Sequence, residues 1–206
     1  MEEKDKNKTV IHNSVITTEE KDKNLTVSEL LFEWAGAVFV SIVIVMLVLT
    51  FFVRHVTVSG SSMTDTLQNG DRLLVNSFMY TPQNGDIVVI SHGNNYSDPI
   101  IKRVIALGGQ RLDIDYNTGE VTVDGVILEE NYIKGKTRQL SNSISLEEYD
   151  HIIPEGYVFV MGDNREGSLD SRSKEIGIIP VNNIIGKAEW RIMPFDKFGT
   201  VYYNMK

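Results

Sequence analysis

Three short runs of the sequence carry side chains that can attack a carbonyl or transfer a proton. The first is Ser59-Gly60-Ser61-Ser62, followed by Met63. Its small residues allow another backbone to approach a serine hydroxyl closely, as a nucleophile requires. The alternative is a plain serine and glycine loop that joins two strands. Taken alone, this run is compatible with both.

The second run is IIKRVI, in which Lys102 and Arg103 stand side by side among apolar residues. Successive side chains of a strand face opposite ways, so one of the two cations can point inward while the other meets solvent. Burial lowers the pKa of a lysine, which can then act as a general base near neutral pH, whereas an arginine stays charged. The alternative is an edge strand whose two cations both extend to water.

The third run, residues 162–172, packs acids, bases and hydroxyls into GDNREGSLDSR. Asp170 and Arg172 are suited to a charge-assisted pair, and Ser168 can orient a neighbouring amine. A solvated turn is the alternative. Calcium is not expected, because the run lacks the spaced carboxylates and the closing glutamate of an EF-hand loop.

Other nucleophiles and bases have weaker candidates. The sequence has no cysteine, which excludes a thiol nucleophile, a disulfide framework and any Cys-ligated metal. None of the four histidines lies in a comparable context; they are His12, His55, His92 and His151. Lys102 is therefore the better candidate base for a serine nucleophile, and no metal site is predicted.

A membrane anchor precedes these runs. Residues 35–53 contain no charged side chain. As a helix they extend about 28 Å, close to the roughly 30 Å hydrocarbon core of a bilayer. A buried helix of a soluble protein and a cleaved signal peptide are the alternatives, but the run is too long for a signal-peptide core and follows a 34-residue acidic tail. The sequence predicts a polar tail at 1–34, a transmembrane helix at 35–53 and a further domain at 54–206.

That last domain is predicted to be all-β. Short runs such as HVTVSG, DIVVISH and YVFVMG alternate with turn residues. NTGE at 117–120 and VDGV at 123–126 predict a hairpin at 111–128. Residues 129–150 are polar and predict a surface excursion. The formal charge of −8 and the absence of a basic domain make nucleic acid an unexpected partner.

In this order, the anchor, SGSSMTDTL, IKRVIALGG and MGDNREGSLDSR resemble bacterial type I signal peptidases, especially the short Gram-positive forms. The last run matches the family pattern GDNRxxSxDSR at every fixed position. The resemblance implies that Ser62 is the nucleophile and Lys102 the general base. It also implies four supporting residues: Ser168, which positions the lysine, and Asp170, Arg172 and Asp163. An oxyanion donor and the substrate strand are expected at Gly60 and Ser61, beside the nucleophile.

The resemblance further implies an activity and a location. We expect a Ser–Lys endopeptidase that removes signal peptides from preproteins after Ala-x-Ala, through an acyl-enzyme and without a cofactor. An extended substrate would add as a strand between HVTVSG and DPII. The expected location is a cell membrane, with a single type II span and the β domain on the extracytoplasmic side. Phe78, Met79 and Tyr80 either dip into that bilayer or pack within the domain.

Two positions depart from the family pattern. Asp65 stands where the family has proline, and Leu107-Gly108-Gly109-Gln110 replaces LPGD. Asp65 either stabilises the Lys102 cation, which raises its pKa and weakens the base, or faces solvent. Two other functions stay open: a membrane-tethered module that binds exported peptides without cutting them, and a self-cleaving Ser–Lys peptidase of the phage-repressor type.

Overall fold

A computed structural model describes residues 26–202, with the backbone alone for 48–53. It divides the chain into two compact units, with the boundary between Ile44 and Val45. Most of the predicted polar tail, residues 1–25, lies outside the described part. The two units are treated separately below.

The N-terminal helix, α1, spans Val27–Phe52 and thus begins ahead of the predicted start at residue 35. Its first turn is closed by a reciprocal cap: the Thr26 backbone N–H donates to Glu29 (2.8 Å) and the Glu29 N–H to the Thr26 hydroxyl (3.4 Å). This capping box satisfies backbone donors that a helix start otherwise leaves free. The stretch Val27–Leu47 has a mean hydropathy of 2.4, so by length and composition it can cross a membrane.

The C-terminal unit is built from β-strands, as predicted. All its strand pairs are antiparallel. The strands are β1 Val53–Thr57, β2 Arg72–Asn76, β3 Ile87–Ile90, β4 Ile100–Leu107, β5 Leu112–Ile114, β6 Val121–Val123, β7 Val126–Ile127, β8 Tyr157–Met161, β9 Ile179–Pro180, β10 Ile184–Met193 and β11 Gly199–Thr200. The larger sheet has the order β1-β2-β10-β3-β4-β8-β9, with β11 beside β10, and the smaller one has the order β5-β6-β7.

The central strands are apolar and β-branched because both of their faces are covered. All four residues of β3 are buried, and four of the five in β8. Strand β4 lies between them, with Lys102 opposite Val88 of β3 and Arg103 opposite Met161 of β8. β4 is therefore an interior strand, and the edge-strand alternative for its two cations is wrong.

The smaller sheet contains the hairpin predicted at 111–128, with β7 as a third strand. Asp124 and Gly125 have φ angles of 52° and 80° between β6 and β7. Positive φ at both central residues is what a two-residue hairpin turn of type I′ requires, and Asp-Gly adopts it at low cost. The turn predicted from VDGV is therefore present.

Residues 129–150 depart from the predicted surface excursion. Many of them are exposed, but Thr137 is fully buried and Leu146 is buried as well. Elsewhere, Tyr80 packs against the core and its hydroxyl donates to Asp86 (2.7 Å), whereas Phe78 and Met79 are exposed. Of the three residues considered for the bilayer, Tyr80 is thus a packing residue.

Candidate active site

Ser62 lies on a tight turn that is anchored from beneath by apolar side chains. Met63 and Leu67 are buried in one core cluster with Leu73 and Ile87. The Leu67 N–H donates to the Met63 carbonyl (2.8 Å), which closes the turn. These two buried side chains fix the turn that directly follows Ser62, and Ser62 itself is half-buried.

Lys102 reaches this serine from strand β4. Its side chain is only 3% exposed, and Nζ lies 2.8 Å from Ser62 Oγ and 3.1 Å from the Ile101 carbonyl. Burial lowers the pKa of Lys102 to about 8, while Asp170 and Asp163 act in the opposite direction. The amine is therefore neutral in a substantial fraction of molecules near pH 8, and the predicted nucleophile and base are in contact.

The neighbouring Arg103 points the other way and is also buried, so neither cation of the pair faces solvent as the sequence had predicted for one of them. Its guanidinium binds both carboxylate oxygens of Asp163 (2.8 and 2.5 Å). The same carboxylate accepts the Thr66 hydroxyl (2.5 Å). Asp163 thus ties the turn that carries Ser62 to the strand that carries Lys102.

Asp170 and Arg172 form the expected ion pair, and neither side chain is exposed. Arg172 donates from Nε and Nη2 to the two oxygens of Asp170 (2.8 and 2.9 Å). Asp170 also accepts the Gly162 N–H (3.0 Å). The run at 162–172 is therefore a buried polar network, and the alternative of a solvated turn is wrong.

Gly162 is required where the three runs meet. A Cβ at this position would lie 2.2 Å from Ser168 Oγ and 2.4 Å from the Ser62 carbonyl oxygen. Ser168 is 5% exposed, and its hydroxyl forms no hydrogen bond within the described part of the chain. Ser168 and the Ser62 carbonyl thus both adjoin Gly162, and within the described residues Ser168 does not form the hydrogen bond to Lys102 that its expected role requires.

The backbone around Gly60 and Ser61 is held by two asparagines. Gly60 has a φ of 91° and its N–H donates to Asn69 Oδ1 (3.0 Å), so this group is already engaged. Asn164 donates from Nδ2 to the Ser61 carbonyl (3.1 Å) and from its backbone N–H to the Ser62 carbonyl (3.0 Å). Within residues 26–202 the Ser62 N–H has no hydrogen-bond partner and remains available to an oxyanion.

Asp65, the departure from the family proline, turns away from this site. Its side chain is 75% exposed, and its carboxylate lies 3.7 Å from Nζ of Lys134, which is also exposed. The carboxylates that act on Lys102 are Asp170 and Asp163. The solvent-facing alternative for Asp65 is therefore the one found.

A cleft of about 530 Å³ opens over Ser62 and Lys102. One wall is β1 and its continuation to Ser61, and the other is the segment 98–101 that leads into Lys102. β1 is the terminal strand of its sheet and pairs only with β2 along that order. Its second edge can accept a further strand. This is the position, between HVTVSG and DPII, where an extended substrate is expected.

Three residues of this site were not recognised in the sequence: Thr66, Asn164 and Arg103 as a pairing partner. Each lies inside one of the three motifs, so its position among the other site residues of that motif was the available signal. The three histidines of the described residues do not line the cleft: His55 and His92 are exposed, and His151 contacts Asp113. His12 lies outside the described residues. Among residues 26–202 no group of three His, Cys, Asp or Glu side chains can hold a metal.

An antiparallel β domain that holds a serine hydroxyl against a buried amine has the groups that a serine peptidase, a hydrolase, requires. The family profile for signal peptidase, peptidase S26, matches residues 31–193. The chain therefore belongs to the signal peptidase family, in agreement with the motif resemblance.

Two relatives with more than 30% identity agree with this assignment. Signal peptidase IB of Staphylococcus aureus is 34% identical over 183 residues, covering 82% of this chain and 92% of the relative. Signal peptidase I of Bacillus licheniformis is 32% identical over 187 residues, covering 87% and 97%. The crystal structure of a signal peptidase I from Enterococcus faecalis matches with 27% identity and a TM-score of 0.39, over 52% of this chain and 97% of that one.

Proposed function

We propose that this chain is a membrane-anchored endopeptidase that removes signal peptides from exported preproteins after Ala-x-Ala, with Ser62 as nucleophile and Lys102 as general base. The single observation that carries the proposal is the 2.8 Å contact between Lys102 Nζ and Ser62 Oγ at the base of a cleft. Membership of the signal peptidase family supports the substrate class.

Neutral Lys102 begins the reaction by accepting the proton of the Ser62 hydroxyl. Oγ then attacks the scissile carbonyl, and the Ser62 N–H stabilises the oxyanion, a contribution typically of about 3–4 kcal/mol per donor. The Lys102 ammonium returns the proton to the leaving amine, which departs as the mature N-terminus. In the second half, Lys102 accepts a proton from the water that attacks the acyl-enzyme ester. The ester bond to Ser62 Oγ then breaks, the Lys102 ammonium returns its proton to Oγ, and the signal peptide leaves with a free carboxylate.

Ser168, Asp163, Asp170 and Arg172 have supporting roles in this proposal. The Arg103–Asp163 ion pair fixes the residue next to Lys102, and the carboxylate of the Asp170–Arg172 pair holds the Gly162 N–H. Ser168, with an uncommitted hydroxyl next to Gly162, is suited to accept a hydrogen bond from the Lys102 ammonium once substrate has displaced Ser62 Oγ. Gly60 and Ser61 form the wall against which the substrate strand lies.

The free edge of β1 supports binding of an extended substrate, with alternate side chains directed into the cleft. Small residues at two alternating positions, as in Ala-x-Ala, fit this geometry. The apolar helix supports membrane anchoring. With the tail inside and the β domain outside, the enzyme and its substrate share one bilayer, which raises their effective concentration.

Cleavage of a detergent-solubilised preprotein bearing Ala-x-Ala tests the proposal, with the new N-terminus sequenced. Wild type is expected to cut after the second alanine, and Ser62→Ala and Lys102→Ala to lose at least about 10²-fold in kcat. Ser145→Ala and Lys174→Ala are matched controls, since both residues lie outside the cleft. A wild type that binds the preprotein but never cuts it would make the chain a peptide-binding module, and cutting only of its own chain would favour the self-cleaving class.

A further inference from the structure

The polar segment 130–138, named the strap below, packs against the ion pairs behind Ser62 and Lys102. Its Glu130 side chain is 6% exposed and Thr137 is fully buried. Burial of a carboxylate and a hydroxyl costs free energy unless both are paired. The partners of these two side chains therefore indicate what the strap does.

Glu130 and Thr137 both bind Arg165, whose side chain is not exposed at all. Glu130 accepts from both terminal nitrogens of the guanidinium, one of them at 2.8 Å, and the Thr137 hydroxyl accepts from Nη1 at 2.7 Å. Arg165 Nε donates to the Gly162 carbonyl (3.1 Å). Glu130 thus neutralises the guanidinium that holds Gly162, the residue pressed between Ser62 and Ser168.

The backbone of the strap continues this contact to the nucleophile. Lys134 donates its N–H to the Asp163 carbonyl (2.7 Å), and Arg165 donates to the Lys134 carbonyl (2.9 Å). Between these two bonds lies Asn164, whose N–H donates to the Ser62 carbonyl (3.0 Å). The strap, the segment 163–165 and the Ser62 turn are therefore three consecutive hydrogen-bonded layers.

The strap also covers the neighbour of the base. The Tyr132 ring lies over the Arg103 guanidinium at 4.0 Å, and the Arg138 carbonyl accepts from Arg172 (2.9 Å). A cation over an aromatic ring is stabilised, the more so when it is desolvated. The strap thus contacts the residue next to Lys102 and, through Asn164, the residue that carries the nucleophile.

We propose that Glu130 is a positioning residue of this peptidase: by neutralising Arg165 it fixes the segment 162–165 and, through it, the distance between Ser62 and Lys102. The inference rests on the proposed roles of Ser62 and Lys102. Glu130 does not line the cleft, so it contacts neither substrate nor the reacting atoms. Its effect is geometric, since the charges that act on Lys102 are those of Asp170 and Asp163.

Glu130→Gln tests this proposal against Glu129→Gln, a matched control. Glu129 is exposed and forms no hydrogen bond or ion pair within the described part of the chain. For Glu130→Gln, kcat per folded enzyme is expected to fall at least about tenfold, because small misplacements of reacting groups are costly. KM should stay within about twofold and the acid limb of the pH profile should not move, since neither substrate binding nor the pKa of Lys102 involves Glu130.

Hydrogen exchange provides a second readout that does not depend on activity. The amides of Asn164 and Arg165 are expected to exchange faster in Glu130→Gln than in Glu129→Gln, because the layer they belong to is loosened. Equal exchange and equal kcat in the two variants would overturn the inference. A lower melting temperature with unchanged kcat and exchange would make Glu130 merely structural and overturn it as well. Failure of wild type to cut would instead count against the proposed function, while the exchange comparison would still test the strap.

Discussion

The two faces of strand β4 bury one cation each, and the two cations are treated differently. Arg103 is fully buried and bound through two hydrogen bonds to Asp163. Lys102 is 3% exposed and contacts a hydroxyl and a backbone carbonyl. Within the described residues, no carboxylate lies within ion-pair distance of Lys102.

The comparison teaches that burial alone does not decide what a cation does, because the type of side chain and its partners also matter. A buried charge with a bound carboxylate stays charged, whereas a buried amine without one loses its proton more easily. The pKa of Lys102 is accordingly lowered to about 8 by burial. One strand thus supplies a fixed ion pair on one face and an amine that can be neutral on the other.

Exchange of the two cation types should have the largest effect. Lys102→Arg keeps a cation that cannot lose its proton in water, so kcat/KM for preprotein cleavage is expected to fall by about 10²–10⁴-fold. Arg103→Lys keeps the charge but loses the two-point contact with Asp163, and a loss of about tenfold is expected. A Lys102→Arg enzyme more active than Arg103→Lys would contradict the distinction between the two faces.

Removal of each cation should change the free energy of unfolding in opposite directions. Arg103→Met leaves Asp163 buried without its partner and is expected to destabilise the β domain by about 3–5 kcal/mol. Lys102→Met removes a group whose pKa falls from 10.5 to about 8 on folding. At about 1.4 kcal/mol per unit, this substitution is expected to stabilise the domain by up to about 3 kcal/mol at pH 7.

The stabilisation expected for Lys102→Met depends on pH, because the pKa of Lys102 is lower in the folded state than in the unfolded state. Lys102 binds a proton more tightly in the unfolded state than in the folded state. The free-energy cost of burying Lys102 is therefore complete below pH 8 and decreases as the pH rises toward 10.5. The advantage of Lys102→Met is expected to fall below about 1 kcal/mol at pH 10. Denaturant unfolding at pH 7 and pH 10 measures it, and an advantage that grows with pH would refute the argument.

The activity profile should also report the pKa of Lys102. The acid limb of kcat/KM is expected to have its midpoint near pH 8, because only the neutral amine accepts the Ser62 proton. Asp163→Asn removes a carboxylate that stabilises the ammonium, so the limb should move to lower pH by a fraction of a unit. Asp150→Asn, a remote exposed control, should leave it in place. Movement to higher pH in Asp163→Asn would be inconsistent with this assignment of charges.

The sequence predicted the opposite orientation of the two cations on β4 better than it predicted the contacts around them. Alternation along the strand correctly separates Lys102 from Arg103, but their common burial depends on pairing with β3 and β8, and Asp163 lies 60 residues beyond Arg103. Local patterns do not encode such long-range pairing. The apolar and β-branched runs did predict the all-β domain and its hairpin, because there the pattern itself is the cause of burial.

The same limit explains the errors in the polar segments. Glu130 and Thr137 appear as surface residues in the sequence, since their partner Arg165 follows 35 and 28 residues later. The uncharged run predicts a membrane helix from residue 35, whereas α1 begins at Val27, behind a capping box formed by Thr26 and Glu29. This capping signal was local and was available in the sequence.

Asp65 should have the smallest effect, although it is the nearest departure from the family pattern. Its pair with Lys134 joins two exposed side chains at 3.7 Å, and such pairs contribute about 0–1 kcal/mol. Asp65→Asn is therefore expected to change kcat/KM by less than about twofold and to leave the acid limb unmoved, with Lys134→Gln giving the same result. A shift of the limb to lower pH in Asp65→Asn alone would mean that this carboxylate stabilises the Lys102 ammonium, and that an exposed charge beside the nucleophile acts on the buried base.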